Sequence, residues 1–177
     1  MTQKLTASVI GCGAGGRLSM KALAVSDRFN LVAAADGNPL AREAVARDFP
    51  ELRVFSTHQE LFAACPTDVV CVSTWAPSHK SIASEALKLP GLKGILVEKP
   101  LGDTAAAGQQ VLDEVRLRGI PMAVPHGSLV ASHSTEILRR VREGEIGSLK
   151  VVESENSGCD IINAGIEWFY YFVALSE

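Results

Sequence analysis

The chain has 177 residues, 47% of them hydrophobic, and its 17 basic and 20 acidic side chains leave a net charge of −3. Proteins that bind nucleic acid carry a basic surface, so this charge argues against that class. Apolar runs stay below the roughly 18 residues of a membrane span, and the N-terminus lacks a signal-peptide pattern. We therefore expect a soluble cytoplasmic protein that contacts neither nucleic acid nor membrane.

Residues 5–36 carry the pattern of a βαβ unit. Residues 5–10 and 30–35 are apolar runs typical of buried strands, and residues 17–25 between them have the pattern of a helix. A strand, a helix and a second strand in this order form the unit from which parallel sheets are built.

A glycine motif, Gly11-x-Gly13-x-x-Gly16, joins the first predicted strand to the helix. The first glycine permits a tight turn, the second lets the backbone approach a pyrophosphate, and the third lets the helix pack close to its strand. The amides at the start of the helix then face the phosphates. A glycine-rich turn that holds no ligand is the alternative. The predicted dinucleotide site contains Gly11, Gly13, Ala14, Gly15, Gly16 and Asp36.

Asp36 ends the second predicted strand, twenty residues beyond Gly16. Its carboxylate can accept hydrogen bonds from ribose hydroxyls, but it would repel a 2′-phosphate. No Arg or Lys occupies positions 37–40, and the first basic residue downstream is Arg42. We therefore predict NAD, with NADP disfavoured. The alternative is that Asp36 only begins a turn before Asn38 and Pro39.

Helices and strands alternate through residues 39–124, which predicts an α/β fold with a doubly wound parallel sheet over residues 1–124. The predicted helices are 39–48, 57–64, 78–87 and 104–118, and the predicted strands are 53–55, 68–73, 94–97 and 121–124. Thr57 is a candidate helix cap. The apolar run in 68–73 is typical of a strand buried on both faces of a sheet.

Residues 125–177 predict an incomplete second α+β domain. An amphipathic helix at 132–142 ends before Gly144, a strand follows at 149–155, and residues 160–175 are apolar and aromatic. Because such an aromatic face must be covered, we expect a homo-oligomer that associates through this segment. The four cysteines form no C-x-x-C pair, so free thiols are expected and no metal site is predicted.

The tripeptide Glu98-Lys99-Pro100 follows the fifth predicted strand. Ligands of open α/β sheets bind at the carboxyl ends of the strands, so Lys99 is expected at the cofactor edge. A lysine there can bind a substrate hydroxyl and share in its proton transfer. The alternative is a solvated loop lysine.

Together these motifs resemble the Gfo/Idh/MocA family, named for glucose-fructose oxidoreductase and inositol dehydrogenase, and the resemblance covers nearly the whole chain. It implies an NAD(P)-dependent oxidoreductase acting on sugars, cyclitols or related alcohols. Residues 125–177 then correspond to the truncated beginning of a C-terminal substrate and oligomerisation domain. The resemblance rests on the glycine motif with Asp36, Ser73-Thr74, Pro77-Ser78-His79, Glu98-Lys99-Pro100-Leu101 and Gly144-Glu145-Ile146-Gly147.

The resemblance also implies roles for the matching residues. The nicotinamide side would be lined by Ser73, Thr74, Pro77 and His79, and the catalytic edge would be formed by Glu98, Lys99 and Pro100. For His79 a structural alternative is open, in which a residue at the helix start is hydrogen-bonded to a neighbouring loop.

Four positions depart from the family pattern. Leu129 stands where the family often has an arginine, and Asn163 and Tyr170 replace the two aspartates of the family's Asp-x-Gly-x-His-x-x-Asp segment. Glu167 takes the position of the catalytic histidine, so Glu167 is a candidate proton acceptor. A solvated acid on an amphipathic helix is the alternative for this residue.

These departures leave three functional hypotheses. The first is an NAD-dependent oxidoreductase that transfers a hydride between nicotinamide and the carbinol carbon of a polyol or sugar-like substrate. The second is a non-catalytic NAD-binding module, or a truncated pseudoenzyme that needs a partner chain. The third is an interaction protein that self-associates through its aromatic C-terminal segment.

Overall fold

The computed structural model describes residues 3–155, 157 and 165–176. Asn163 and the fourth cysteine, Cys159, lie outside these residues. The chain divides into two compact units, Met1–Val124 and Pro125–Glu177.

The first unit is built on one parallel sheet of six strands, in the order β3-β2-β1-β4-β5-β6. The order reverses between β1 and β4, and ligands of such sheets bind in the crevice at the carboxyl ends of strands at this kind of switch point. The predicted doubly wound α/β fold is therefore confirmed. The strands are β1 (Leu5–Ile10), β2 (Phe29–Ala35), β3 (Arg53–Phe55), β4 (Val69–Val72), β5 (Gly94–Val97) and β6 (Met122–Ala123).

Five helices cover this sheet: α1 (Ala14–Ala24), α2 (Pro39–Asp48), α3 (His58–Ala64), α4 (Ala76–Ala86) and α5 (Ala105–Arg118). Helix α1 begins three residues before the predicted start at Arg17, so Gly15 and Gly16 lie in its first turn. Glycine disfavours helix by about 1 kcal/mol, which is why the sequence predicted a later start. Tertiary packing of α1 on the turn outweighs this penalty.

Side-chain caps fix the starts of three helices. Thr57 Oγ1 accepts a hydrogen bond of 3.1 Å from the Glu60 amide, which confirms the predicted cap of α3. Asn38 and Thr104 cap α2 and α5 in the same way. These bonds satisfy amides that have no partner inside the helix.

The sheet is buried on both faces. On β4, Val70 and Val72 belong to one apolar cluster and Cys71 to the cluster on the opposite face. Burial raises the pKa of the Cys71 thiol to about 12, and burial together with the nearby Asp36 carboxylate does the same for Cys12. Both are free thiols, and they are protonated at neutral pH.

The described part of the second unit is helical, with α6 (Gly127–Val130), α7 (Ser132–Arg142) and α8 (Ile166–Ser176). The predicted strand at 149–155 is wrong, because these residues form no regular element. An isolated strand leaves its backbone groups unpaired, and residues 125–155, 157 and 165–176 offer it no second strand. Within the described ranges, no helix has the length and apolar character needed to cross a membrane.

Candidate functional site

The glycine turn brings the carboxyl ends of β1, β2 and β4 together. Gly11 has φ +94°, and its amide donates a hydrogen bond of 2.8 Å to the Ala35 carbonyl. A Cβ at Gly11 would lie 2.4 Å from the Ser73 carbonyl oxygen. Only glycine fits this position, because both the backbone angle and the space exclude a side chain.

Gly16 and Gly13 differ in what surrounds them. A Cβ at Gly16 would lie 1.8 Å from the Gly11 carbonyl oxygen, so α1 packs directly on the turn. A Cβ at Gly13 would meet no heavy atom within 4 Å. Gly13 therefore faces open space at the N-terminus of α1, whose first turn contains no acidic side chain. The geometry suits an anionic group such as a pyrophosphate.

Asp36 stands beside this turn and holds two backbone amides. Its Oδ2 accepts from the Cys12 amide at 2.7 Å and its Oδ1 accepts from the Asn38 amide at 2.7 Å. A carboxylate has about four acceptor positions, so about two remain for ribose hydroxyls. The carboxylate is thus fixed in place while it keeps acceptor capacity.

Arg42 lies closer to Asp36 than the sequence suggested. Its Nη1 donates to the backbone carbonyls of Asp36 at 2.8 Å and Gly37 at 3.1 Å. Sequence spacing did not indicate this contact, because it depends on how α2 leaves the turn that follows β2. The guanidinium is therefore held against the backbone of the turn that carries Asp36.

The carboxyl end of β4 presents Ser73 and Thr74. The Ser73 amide donates to the Ile10 carbonyl at 2.7 Å, which ties this end of β4 to β1. Ser73 Oγ is buried and has no hydrogen-bond partner among the described residues. Buried hydroxyls are normally paired, so this one is a candidate contact for a ligand. Thr74 Oγ1 accepts from Ser78 Oγ at 2.7 Å.

His79 links the loops that follow β4 and β5. The residue is 1% exposed, its Nε2 lies 2.9 Å from the Thr74 carbonyl oxygen, and its Nδ1 lies 2.9 Å from the Pro100 carbonyl oxygen. This arrangement matches the structural alternative for His79. A contact between His79 and a nicotinamide stays a prediction. Pro77 lies in the first turn of α4.

Glu98 and Lys99 follow β5 and adjoin the glycine turn. A Cβ at Gly15 would lie 3.3 Å from Glu98 Oε1, so the carboxylate lies over the first turn of α1. The Lys99 amide donates to Glu98 Oε2 at 3.3 Å, and the Lys99–Pro100 peptide is cis. The structure therefore brings two motifs together that are far apart in the sequence.

In the second unit, Glu167 lies on α8 and is mostly buried, with its side chain 18% exposed. Its Oε2 accepts a short hydrogen bond from Ser128 Oγ, and its Oε1 lies 3.7 Å from His126 Nδ1. Glu167 is thus only partly exposed, and its role as a proton acceptor stays a prediction. The sequence analysis missed both His126 and Ser128. Leu129 lies beside them in α6.

Among the described residues, no group of three His, Cys, Asp or Glu side chains is arranged to hold a metal ion.

Residues 5–126 match the model of an oxidoreductase family with an NAD-binding Rossmann fold, the Gfo/Idh/MocA family. The match covers more than half of the chain. The chain belongs to this family. The resemblance stated from the motifs is thus confirmed, and residues 5–126 are the family's NAD-binding domain.

Curated relatives include inositol 2-dehydrogenase of Burkholderia multivorans, 28% identical over 147 residues that make up 81% of this chain and 43% of the relative. Another is trans-1,2-dihydrobenzene-1,2-diol dehydrogenase of Macaca fascicularis, 29% identical over 70% of this chain and 36% of the relative. The chain therefore spans less than half the length of these relatives.

Among solved structures, GenD2 from gentamicin A biosynthesis, in complex with NAD, is similar with a TM-score of 0.74 and 26% identity. The likeness covers 82% of this chain and 41% of that one.

Proposed function

We propose that this chain is the NAD-binding part of an oxidoreductase that transfers a hydride between nicotinamide and the carbinol carbon of a sugar, cyclitol or related alcohol. The observation that carries the proposal is the position of Glu98 over the first turn of α1, 3.3 Å from where a Gly15 Cβ would lie. It joins the Glu98-Lys99-Pro100 segment to the glycine turn. The similarity to inositol 2-dehydrogenases supports a polyol substrate.

The residues of the first unit fit NAD. The open space at Gly13 and the unpartnered Ser73 hydroxyl are the features that a bound dinucleotide would use. The first-turn amides of α1 would hold the pyrophosphate, and Asp36 would accept from the adenosine ribose. When bound, NAD supplies the acceptor for the hydride.

Lys99 would bind the substrate hydroxyl. An ammonium group stabilises negative charge that develops on this oxygen as its proton leaves. Glu167 supplies a carboxylate for proton acceptance in the second unit, which we propose to be the beginning of the substrate and oligomerisation domain. We propose further that the protein acts in the cytoplasm as a homo-oligomer.

Calorimetry with NAD and NADP, followed by turnover of NAD with myo-inositol and D-glucose, tests this function. We expect NAD to bind more tightly than NADP. Failure of both nucleotides to bind at millimolar concentration would contradict the proposal.

The Lys99→Ala variant tests the catalytic edge. We expect kcat to fall about 100-fold, as is typical for loss of a group that assists proton transfer, while the Kd for NAD stays within about threefold. The matched control is Lys88→Ala, since Lys88 is exposed beyond the end of α4. If both variants keep wild-type kcat, Lys99 has no role in the chemistry.

A non-catalytic NAD-binding module is the second candidate, because a carboxylate at position 167 replaces the family's histidine. This candidate predicts NAD binding by calorimetry without reduction of NAD by any polyol. It also predicts that Lys99→Ala changes nothing that can be measured.

A further inference from the structure

Arg42 lies on α2 but reaches back to the end of β2. It is the fourth residue of α2, which begins at Pro39 and is capped by Asn38. Its Nη1 donates hydrogen bonds to the backbone carbonyls of Asp36 at 2.8 Å and Gly37 at 3.1 Å. Two carbonyl acceptors restrict the planar guanidinium more than a single one would. A half-buried cation is therefore built into the turn that carries Asp36.

The Arg42 guanidinium keeps donors that the turn does not use. Among the described residues, only its Nη1 makes hydrogen bonds, so Nε and Nη2 keep their hydrogens for another acceptor. Both oxygens of the Asp36 carboxylate accept backbone amides instead. The Glu60 carboxylate, which the charge of Arg42 also reaches, is held by the amide and hydroxyl of Ser56. Arg42 can therefore bind an added anion without losing a hydrogen bond of the turn.

The charges of Arg42 and Asp36 act on the same small region. Burial raises the pKa of the Cys12 thiol most, the Asp36 carboxylate raises it further, and the guanidinium groups of Arg17 and Arg42 act against both. Helix α2 has no acidic side chain in its first turn, so the positive end of its dipole adds to the charge of Arg42. A carboxylate and a positive region therefore lie side by side at the carboxyl end of β2.

NADP differs from NAD by a phosphate on the 2′ oxygen of the adenosine ribose. In dinucleotide sites of this fold, the acid after the second strand accepts from ribose hydroxyls, and an arginine nearby can accommodate a 2′-phosphate. The fork of a guanidinium matches phosphate oxygens, and hydrogen bonds between charged groups are stronger than those between neutral groups. Asp36 alone would repel the phosphate, whereas Arg42 offers it the opposite charge.

We propose that Arg42 binds the 2′-phosphate of NADP, so that the nucleotide site accepts NADP as well as NAD. This inference rests on the function proposed above. NAD keeps the advantage, because its ribose hydroxyls meet the Asp36 carboxylate without repulsion. For NADP, the attraction of Arg42 for the phosphate opposes the repulsion from Asp36. Arg42 thus determines how strongly NADP is disfavoured, while binding of NAD does not depend on its charge.

Calorimetry with NAD and NADP on the wild-type chain and on Arg42→Gln tests the inference. Glutamine removes the charge but keeps an amide that can donate to a backbone carbonyl. We expect wild-type chain to bind both nucleotides. We expect Arg42→Gln to raise the Kd for NADP at least about tenfold and to keep the Kd for NAD within about threefold. The matched control Arg47→Gln removes an arginine near the other end of α2, where the side chain is 77% exposed, and should change neither Kd.

A purely structural role for Arg42 predicts a different result. If the guanidinium only holds the turn, Arg42→Gln weakens NAD and NADP by the same factor, and an unchanged ratio of the two Kd values overturns the inference. Wild-type chain that binds NAD but not NADP also overturns it and leaves the proposed function standing. Binding of neither nucleotide contradicts the proposed function as well.

Arg42→Lys gives a second variant for the same measurement, because it keeps the positive charge at this position. We expect its Kd for NADP to lie between those of the wild type and Arg42→Gln. Competition by 2′,5′-ADP and 5′-AMP against NAD gives a readout that does not involve nicotinamide. We expect Arg42→Gln to weaken competition by 2′,5′-ADP at least about tenfold and to leave that by 5′-AMP unchanged. Equal loss for both competitors overturns the inference.

Discussion

The carboxylate of Asp36 organises the backbone around the glycine turn. Both of its oxygens accept an amide hydrogen bond, one from Cys12 and one from Asn38. Arg42, held by the carbonyls of Asp36 and Gly37, brings a positive charge to the same place. We therefore expect the choice between NAD and NADP to depend on the balance between Asp36 and Arg42.

We expect Asp36→Ala to weaken NAD binding by roughly 10- to 100-fold, since hydrogen bonds to a charged group contribute about 1.5–3 kcal/mol. Binding of NADP should weaken less or improve, because the repulsion of its 2′-phosphate is removed while Arg42 remains. Calorimetry with both nucleotides measures the ratio. The control Asp27→Ala alters an exposed loop position and should change neither affinity. An unchanged ratio in Asp36→Ala would show that another residue selects the nucleotide.

Asp68 lies just before β4 and holds the amino-terminal ends of β1 and β4 together. Its Oδ2 accepts from the Thr6 amide at 2.8 Å and from Thr6 Oγ1 at 2.9 Å, and its Oδ1 pairs with Lys93 Nζ at 2.7 Å. The hydrogen bond from Lys93, followed by those from Thr6, lowers the pKa of Asp68 below its ordinary value of 3.8. The charged form is therefore favoured by folding.

Because the folded-state pKa of Asp68 lies below the unfolded one, its contribution is present above about pH 4 and is lost as the pH falls through the folded-state pKa. We expect Asp68→Asn to lower the free energy of unfolding at pH 7 by about 1–2 kcal/mol, and by less at pH 2.5. Urea unfolding at both pH values measures this. The control Asp113→Asn, at a side chain 62% exposed, should show no such difference. A loss that is equal at both pH values would contradict the prediction.

At the scale of an element, two glycines at the start of α1 have different roles. Gly16 is needed for packing, and Gly13 is proposed to leave room for a ligand. Gly16 is required by packing, since a Cβ there would overlap the Gly11 carbonyl oxygen at 1.8 Å. Gly13 has φ −71° and open space in front of it, so packing and backbone angle both permit alanine there. Packing therefore requires glycine at position 16, whereas neither packing nor backbone angle requires it at position 13.

We expect Gly16→Ala to lower the free energy of unfolding by about 2–4 kcal/mol, because a buried backbone clash forces α1 away from the turn. We expect Gly13→Ala to leave unfolding within about 0.5 kcal/mol and to weaken NAD binding at least tenfold, because its methyl group occupies the space of the pyrophosphate. Urea unfolding and calorimetry on both variants test this. Gly13→Ala with wild-type affinity would contradict a pyrophosphate at this position.

The predictions at the element scale succeeded where local patterns control structure. Apolar runs located the strands of the first unit, and the threonine at position 57 marked the start of α3. The predicted start of α1 was too late, because packing of α1 on the glycine turn outweighs the low helix propensity of glycine. The strand expected at 149–155 was wrong because the described residues of the second unit supply no neighbouring strand with which it could pair.

At the scale of the whole molecule, helix α8 exposes several apolar side chains. Trp168, Phe169 and Val173 are 42%, 54% and 53% exposed. Exposed apolar side chains grouped on one helix favour association with another surface. This is the physical basis for the proposed homo-oligomer.

We expect the chain to self-associate in solution and the double variant Phe169→Ser, Val173→Ser to shift it toward the single chain. Light scattering over a range of concentrations measures the mass. The control Val25→Ser removes an apolar side chain that is 87% exposed in the first unit and should leave the mass unchanged. A wild-type chain that remains monomeric at all concentrations would remove the basis for an oligomer.

The sequence by itself determined the parallel sheet, the glycine turn with Asp36 and the family, because each depends on local patterns or on fixed spacing along the chain. The tertiary structure decided that Glu98 lies over α1, that His79 links two loops, and that His126 faces Glu167. These contacts join side chains from different strands, loops and helices. No periodicity or spacing encodes them, because they depend on how separate elements pack in three dimensions.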